Sequence, residues 1–266
     1  MAPTADMAAH QSDNTFDVLV IGAGISGINS AYRLSTELPS SSFAVLEARH
    51  EIGGTWSQFK YPGVRSDSDL HTFGFAFHPW RNSNTIASGE SILAYLDETI
   101  DKFDLAKYFR FRQKLVAADW REAEQKWRLE VDVTQGEDKR RVVYWTTWLI
   151  TGTGYYSYDK PMAAKIPGLE KFKGRVAHPQ FYPKDLEYKD KEIVVIGSGA
   201  TAITLLPALV NEGAKMVTQL QRSPSYVFAV PQETPEDLSW IHKWMPQWML
   251  SKWLRKTHHA QNCSRC

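Results

Sequence analysis

Phe16-Asp-Val-Leu-Val-Ile-Gly-Ala-Gly-Ile-Ser-Gly27 is the stretch that decides the fold. An apolar run leads into glycines spaced G-x-G-x-x-G, and an apolar helical pattern follows. This is the pattern of a strand, a tight turn and a helix that together bind a dinucleotide. Gly22 allows the turn out of the strand, Gly24 lets backbone approach a pyrophosphate, and Gly27 lets the helix pack closely on the strand. The phosphates then meet the N–H groups and the positive dipole end of the helix. An acidic residue is expected about 20 positions further on. The run Phe43-Ala-Val-Leu-Glu47 ends on one, and Glu47 is placed to hydrogen-bond ribose hydroxyls.

A second copy reads Glu192-Ile-Val-Val-Ile-Gly-Ser-Gly-Ala-Thr-Ala202. Gly197, Gly199 and Ala202 take the three small-residue positions, with Ser198 and Thr201 between them. Its matching strand, Met216-Val-Thr-Gln-Leu-Gln-Arg-Ser223, has no carboxylate at the end; Gln221 is followed by Arg222 and Ser223. A carboxylate repels a 2′-phosphate, whereas a guanidinium binds one through charge-assisted hydrogen bonds. The first site therefore reads as fit for FAD or NAD and the second for NADP. Two such motifs in one chain imply two dinucleotides, with electrons passing from one to the other.

Outward from these motifs, residues 16–47 read as strand, helix, strand. Residues 53–81 are loop-like, dense in Gly, Pro, Asp and aromatics. From Ser88 to Phe103 the apolar residues Ile92, Leu93, Leu96 and Ile100 share one helical face, with Ser88 as cap. Trp127 to Val133 alternates as a half-buried strand does, and a second β run covers Val142 to Ile150 before Thr151-Gly-Thr-Gly154. Residues 155–191 are an irregular connection. The expected fold is α/β, with two Rossmann-like dinucleotide-binding domains. Its expected division is a disordered tail over 1–15, a first domain over 16–158, and a linker with a partial second domain over 159–266.

Composition narrows the function. The charge is balanced, 31 basic against 30 acidic residues, so no basic stripe marks a nucleic-acid binder. No apolar run is long enough for a membrane span. Two cysteines, Cys263 and Cys266, fit a reducing compartment, and the cytoplasm is the expected location. Cys263-x-x-Cys266 reads as a plain terminus rather than a metal or redox site. The tryptophan-rich stretch with Trp240, Trp244, Trp248 and Trp253 reads as a helix packed on protein in preference to a membrane-surface helix.

The segments between the motifs add a resemblance. Gly53-Gly-Thr-Trp56, Tyr61-Pro-Gly-Val-Arg-Ser-Asp-Ser-Asp69, Gly152-Thr-Gly-Tyr-Tyr-Ser-Tyr158 and Phe172-Lys-Gly-Arg-Val-Ala-His-Pro-Gln-Phe-Tyr-Pro183 resemble flavin-dependent Baeyer–Villiger monooxygenases, most of all the ethionamide-activating subgroup. The likeness runs from about residue 16 to about 230. In the family fingerprint, Phe172, Gly174, His178 and Pro183 match, while Tyr182 replaces a tryptophan.

The resemblance implies FAD contacts from Ser26, Glu47, Gly54, Thr55, Trp56, Asp67 and the backbone at Leu115. It implies NADPH contacts from Arg65, Asp67, the Gly197–Ala202 turn, Arg222 and Ser223. His178 would lie in a linker coupled to turnover. The implied chemistry is hydride transfer from NADPH to FAD and insertion of one atom of O2 into an organic ketone. Oxygenation of a soft sulfur or nitrogen is the alternative within the superfamily, and a catalytically dead dinucleotide-binding remnant is the alternative outside it. Family members are longer. Their further half completes the FAD domain and supplies an active-site arginine that Asp67, the candidate catalytic residue, would orient. That part of the family fold is expected to be missing here, and NADPH oxidation by the 266 residues alone to be mostly uncoupled.

Overall fold

β1 (Thr15–Ile21), α1 (Ile25–Glu37) and β2 (Phe43–Leu46) form the strand–helix–strand unit predicted from the first glycine motif. The structure, a computed structural model, describes residues 14–162 and 164–227. β1 begins at Thr15, inside the predicted tail, because Thr15 already pairs with Trp145 and the Trp145 N–H donates to the Asn14 carbonyl at 2.9 Å. The stretch from Trp240 to Trp253, the Cys263-x-x-Cys266 pair and residues 1–13 of the predicted tail lie outside the described residues.

Val18 to Ile21 are all buried. An unbroken apolar run of this kind marks a parallel strand covered on both faces. β1 pairs in parallel with β2 on one side and with β6 (Asp138–Thr151) on the other. β3 (Phe109–Arg110), β4 (Gln113–Arg121) and β5 (Lys126–Gln135) complete a six-stranded sheet in the order β3-β2-β1-β6-β5-β4. β6 is longer than the predicted run because it serves two partners. Asp138 to Thr146 pair antiparallel with β5, and Trp145 to Thr151 pair parallel with β1. Leu19, Ile21, Leu46, Leu129, Val131 and Tyr144 form the core on this sheet. α2 (Gly89–Lys102) matches the predicted helix. Ile92, Leu96 and Ile100 are buried, and the Ser91 N–H donates to Ser88 Oγ at 3.2 Å.

The described residues sort into two units. The first runs to Ser57 and resumes over Leu96–Tyr156; the second holds Gln58–Tyr95 and resumes at Ser157. In the second unit, β7 (Glu192–Ile196) and β8 (Met216–Leu220) pair in parallel, joined by α3 (Ala200–Asn211). Val195, Ala202, Leu205 and Leu209 pack with Phe59 and Tyr61 from the earlier segment. Among the described residues no helix is long and apolar enough to cross a membrane.

At the far end of α3, the Tyr188 hydroxyl donates to the Glu212 carboxylate. Burial first, and that bond second, push the Tyr188 phenol up to about 12. A raised phenol favours the folded state while protonated. The contribution is full below the ordinary tyrosine value of about 10 and is lost as pH rises from there through about 12. An ultraviolet titration should therefore show Tyr188 ionising well after a tyrosine of ordinary value, and Tyr188→Phe should remove that late contribution.

Candidate functional site

The first glycine turn is held by backbone on every side. Gly22 stands at φ +101°, and a Cβ there would sit 2.5 Å from the Gly152 carbonyl oxygen. A Cβ on Gly27 would sit 1.9 Å from the Gly22 carbonyl oxygen. Both positions are thus closed to any side chain. Gly24 differs: a Cβ there has only Gly54 Cα nearby, at 3.7 Å. The space beside Gly24 is open. α1 starts at this turn with no side-chain cap and no acidic residue in its first turn. Its first N–H groups are orphan donors at the positive end of a 13-residue helix, an arrangement suited to an anion.

Glu47 follows β2 and is 8% exposed. Its carboxylate accepts from the Ala23 N–H at 2.7 Å and from the Arg49 N–H at 2.8 Å. This pins the acid to the glycine turn and leaves its further lone pairs for hydroxyl donors. The Gly53 N–H donates to the Ala23 carbonyl at 3.0 Å, which brings the Gly54, Thr55 and Trp56 loop to the same place. Arg49 fixes that loop from behind, donating to the Gly54 carbonyl at 3.3 Å and to Ser57 Oγ at 2.7 Å. Ser26, exposed in the first turn of α1, lies beside Gly152. Leu115 reaches the neighbourhood through β4. The Gln113 N–H donates to the Glu47 carbonyl at 2.8 Å, and Leu115 follows two residues on, where the register shifts at a bulge.

Arg49 and Gly152 were not singled out from the sequence. Gly152 faces Gly22 only because β6 pairs beside β1. Its one local signal was the Gly152-x-Gly154 spacing at the end of a β run.

The second turn repeats the first with more open space. Gly197 stands at φ +140°, and its N–H donates to the Leu220 carbonyl at 2.9 Å. A Cβ on Gly199 would meet nothing within 4 Å. α3 also begins without a side-chain cap or an acidic residue. Ser198 and Thr201 flank the turn, and Ala202 packs into the core. Ser225 Oγ donates to the Ser198 carbonyl at 2.6 Å, so the segment carrying Arg222 and Ser223 returns to the glycine turn. Arg222 is exposed and has no hydrogen-bond or ion-pair partner among the described residues.

Arg65 and Asp67 are in this second unit, where Arg65 Nε donates to Asp67 Oδ1 at 3.0 Å. Arg65 also lines a cleft of about 660 Å³ with Trp80, Asn82, Thr204 and Ala208, against the flank of α3. His178 is exposed, and its Nδ1 accepts from the Gln180 N–H at 3.2 Å, closing the short turn Pro179–Phe181. Tyr182 is half-buried, and burial, then the nearby Glu212 carboxylate, raise its phenol above the ordinary range.

A family model described as flavin-binding monooxygenase-like matches residues 16–259. That corrects the boundary near residue 230: the likeness continues through the tryptophan-rich stretch, which carries no glycine turn or fingerprint by which a motif reading could follow it. The chain is 47% identical over 220 residues to the FAD-containing monooxygenase EthA of Mycolicibacterium smegmatis, covering 83% of this chain and 44% of that protein. Among solved structures, it is similar to a cyclohexanone-bound cyclohexanone monooxygenase, with a TM-score of 0.72 and 27% identity over 86% of this chain and 43% of that one. It is also similar to OTEMO in complex with FAD and NADP, with a TM-score of 0.65 and 30% identity over 79% of this chain and 39% of that one. The chain thus spans about half the length of the curated relatives it matches.

Proposed function

The chain belongs to the flavin-binding monooxygenase-like family, and from that premise we propose that it works as an FAD- and NADPH-dependent monooxygenase of the Baeyer–Villiger type. The observation that carries this is the pair of uncapped helix starts, each behind a glycine turn with open space at its middle glycine, one beside a carboxylate and the other met by the segment that carries Arg222, which has no hydrogen-bond or ion-pair partner among the described residues. The first fits FAD and the second NADPH. The substrates proposed are a small organic ketone and O2, and the expected location is the cytoplasm. The relatives support this reading through the ketone held by one solved structure and the two cofactors held by another.

Flavin bound at the first site would supply two-electron chemistry with O2 after taking hydride from the nicotinamide. The residues of this chain do the holding. The first turn of α1, with Ser26, offers N–H donors to a pyrophosphate. Glu47 accepts from ribose hydroxyls while its two backbone bonds keep it from swinging away. Arg49 keeps Gly54, Thr55 and Trp56 seated, and Leu115 offers backbone from the opposite strand. In the second unit, the Gly197–Ala202 turn takes the other pyrophosphate, and Arg222 with Ser223 takes the 2′-phosphate. Arg65 and Asp67 hold each other; that pairing aims Arg65 toward the nicotinamide nucleotide and leaves an oxygen of Asp67 for a further cation.

Glu47→Ala should be costly twice over. It strands the buried Ala23 N–H, a penalty of about 1–3 kcal/mol for a buried donor left unmade, releases the part-buried Arg49 N–H, and removes the ribose acceptor. Melting temperature and flavin content should fall together. Glu47→Gln, which keeps one acceptor oxygen, should lose less of both. A Glu47→Ala protein as yellow and as stable as the unaltered chain would contradict this placement.

The activity is tested by giving the protein FAD, NADPH, isotopically labelled O2 and a simple ketone. An ester or lactone carrying one labelled oxygen supports the proposal. A thioether oxygenated while ketones stay untouched moves the reading to sulfur and nitrogen oxygenation, which the tyrosine at position 182 favours. A folded protein that takes up the nucleotides but oxygenates nothing overturns it in favour of a catalytically dead dinucleotide-binding remnant, and one that takes up neither overturns both.

A further inference from the structure

β8 breaks its own pattern at Gln219. Alternate residues of a strand share a face, so Gln219 stands with Val217 on the side of the sheet that α3 covers. It pairs across the ladder with Val195, and Ile193, Val195 and Val217 pack there with Ala202 and Leu205. Gln219 is the polar member of that face, half-buried, where an apolar side chain would avoid the cost of desolvating an amide. Its Nε2 donates to the Gly197 carbonyl at 2.9 Å. The Gly197 N–H donates to the Leu220 carbonyl. Neighbouring residues of β8 thus hold Gly197 at both its N–H and its carbonyl.

The first turn needs no such side chain. The Gly22 N–H donates to the Leu46 carbonyl, so Leu46 matches Leu220, and the place of Gln219 is taken by Val45, which is fully buried. There the helix closes directly on the Gly22 carbonyl oxygen: a Cβ on Gly27 would sit 1.9 Å from it. In the second motif the matching residue is Ala202, which has that Cβ. The Gly197 carbonyl cannot take the same place, and Gly197 stands at φ +140° against +101° for Gly22. A carbonyl moved off the helix is left for Gln219 to catch. The Gly197–Ser198 peptide is trans, so fixing its carbonyl also aims the Ser198 N–H the opposite way. In the first turn the matching N–H, that of Ala23, is taken by the Glu47 carboxylate. The Ser198 N–H has no hydrogen-bond partner among the described residues. We propose that Gln219 is a positioning residue: it holds the Gly197–Ser198 peptide so that the Ser198 N–H faces the nucleotide bound at this turn. This rests on the reading of the second turn as the NADPH site.

Gln219→Leu removes the donor and suits the apolar face, so the variant should keep its melting temperature and its flavin uptake. It should bind NADPH and NADH each about three- to tenfold more weakly, the loss of one hydrogen bond, with the preference between them unaltered. That separates it from Arg222→Ala, whose loss falls on NADPH. Gln219→Val combined with Ala202→Gly copies the first turn. It should restore both affinities to within about twofold of the unaltered chain, because the carbonyl can then close on the helix. A side chain needed only for packing would not be rescued by removing a methyl from α3. Gln219→Glu decides the matter if Gln219→Leu does not fold. It keeps the size of the side chain but sets a carboxylate oxygen against the Gly197 carbonyl, and should weaken both nucleotides at least as much. Unchanged affinities in the folded variants, a loss confined to NADPH, or no rescue in a folded double variant overturns the positioning role alone. An unaltered chain that binds neither NADPH nor NADH overturns the two-nucleotide reading and the role of Gln219 with it.

Discussion

A Gly27→Ala chain will purify without flavin and melt well below the unaltered protein. The added Cβ falls 1.9 Å from the Gly22 carbonyl oxygen and 2.9 Å from its carbon. Both are backbone atoms, so no rotamer change relieves the clash. Either α1 moves off the sheet or the glycine turn moves off Gly152. Overpacking a fitted site costs about 1–3 kcal/mol, and a clash with main chain belongs at the upper end, about 150-fold in an equilibrium. Gly24→Ala is the control. Its Cβ meets only ordinary contact at 3.7 Å, so it should fold and melt normally while losing flavin affinity if, as proposed, the pyrophosphate takes the space that the new methyl fills. Absorbance of bound flavin and thermal melts separate the two. Gly27→Ala protein that stays yellow with an unaltered melt would refute the packing argument.

Arg222→Ala should erase most of the preference for NADPH over NADH. Arg222 has no hydrogen-bond or ion-pair partner among the described residues. A charge-assisted contact to a 2′-phosphate accounts for roughly 10- to 150-fold in affinity. Solvent screening at an exposed site draws the figure toward the lower end. The loss should fall almost wholly on NADPH, with NADH binding little changed. Equal affinities of the unaltered chain for the two nucleotides would show that Arg222 does not read the phosphate.

The parts of this molecule that could be read from its sequence are those whose chemistry is local. Gly22 and Gly27 announce a turn because only glycine tolerates the contacts found there, Gly24 completes the spacing, and Glu47 sits at a fixed distance along the same βαβ unit. The helix from Ser88 was legible because its apolar face repeats with the helical period and its cap precedes it. What escaped notice depends on long-range pairing. Gly152 matters because β6 lies against β1. Arg49 matters because the loop after β2 folds back over it. Phe59 and Tyr61 sit in a loop without periodicity, and nothing in their own neighbourhood says that they pack with α3.

The double pairing of β6 carries a consequence for synthesis. Val18 to Ile21 are buried, yet one flank of β1 is supplied by Trp145 to Thr151. On the ribosome, the nucleotide-binding motif at the start of the chain therefore emerges long before its neighbour. Until β6 arrives, the nascent polypeptide presents an apolar strand with one open edge, the surface on which chains pair wrongly with one another. Quality control of this protein is then a matter of timing. A ribosome that stalls before residue 151 leaves a chain exposed to aggregation, and a chaperone that holds the first fifty residues until that point guards the pairing of β1 with β6.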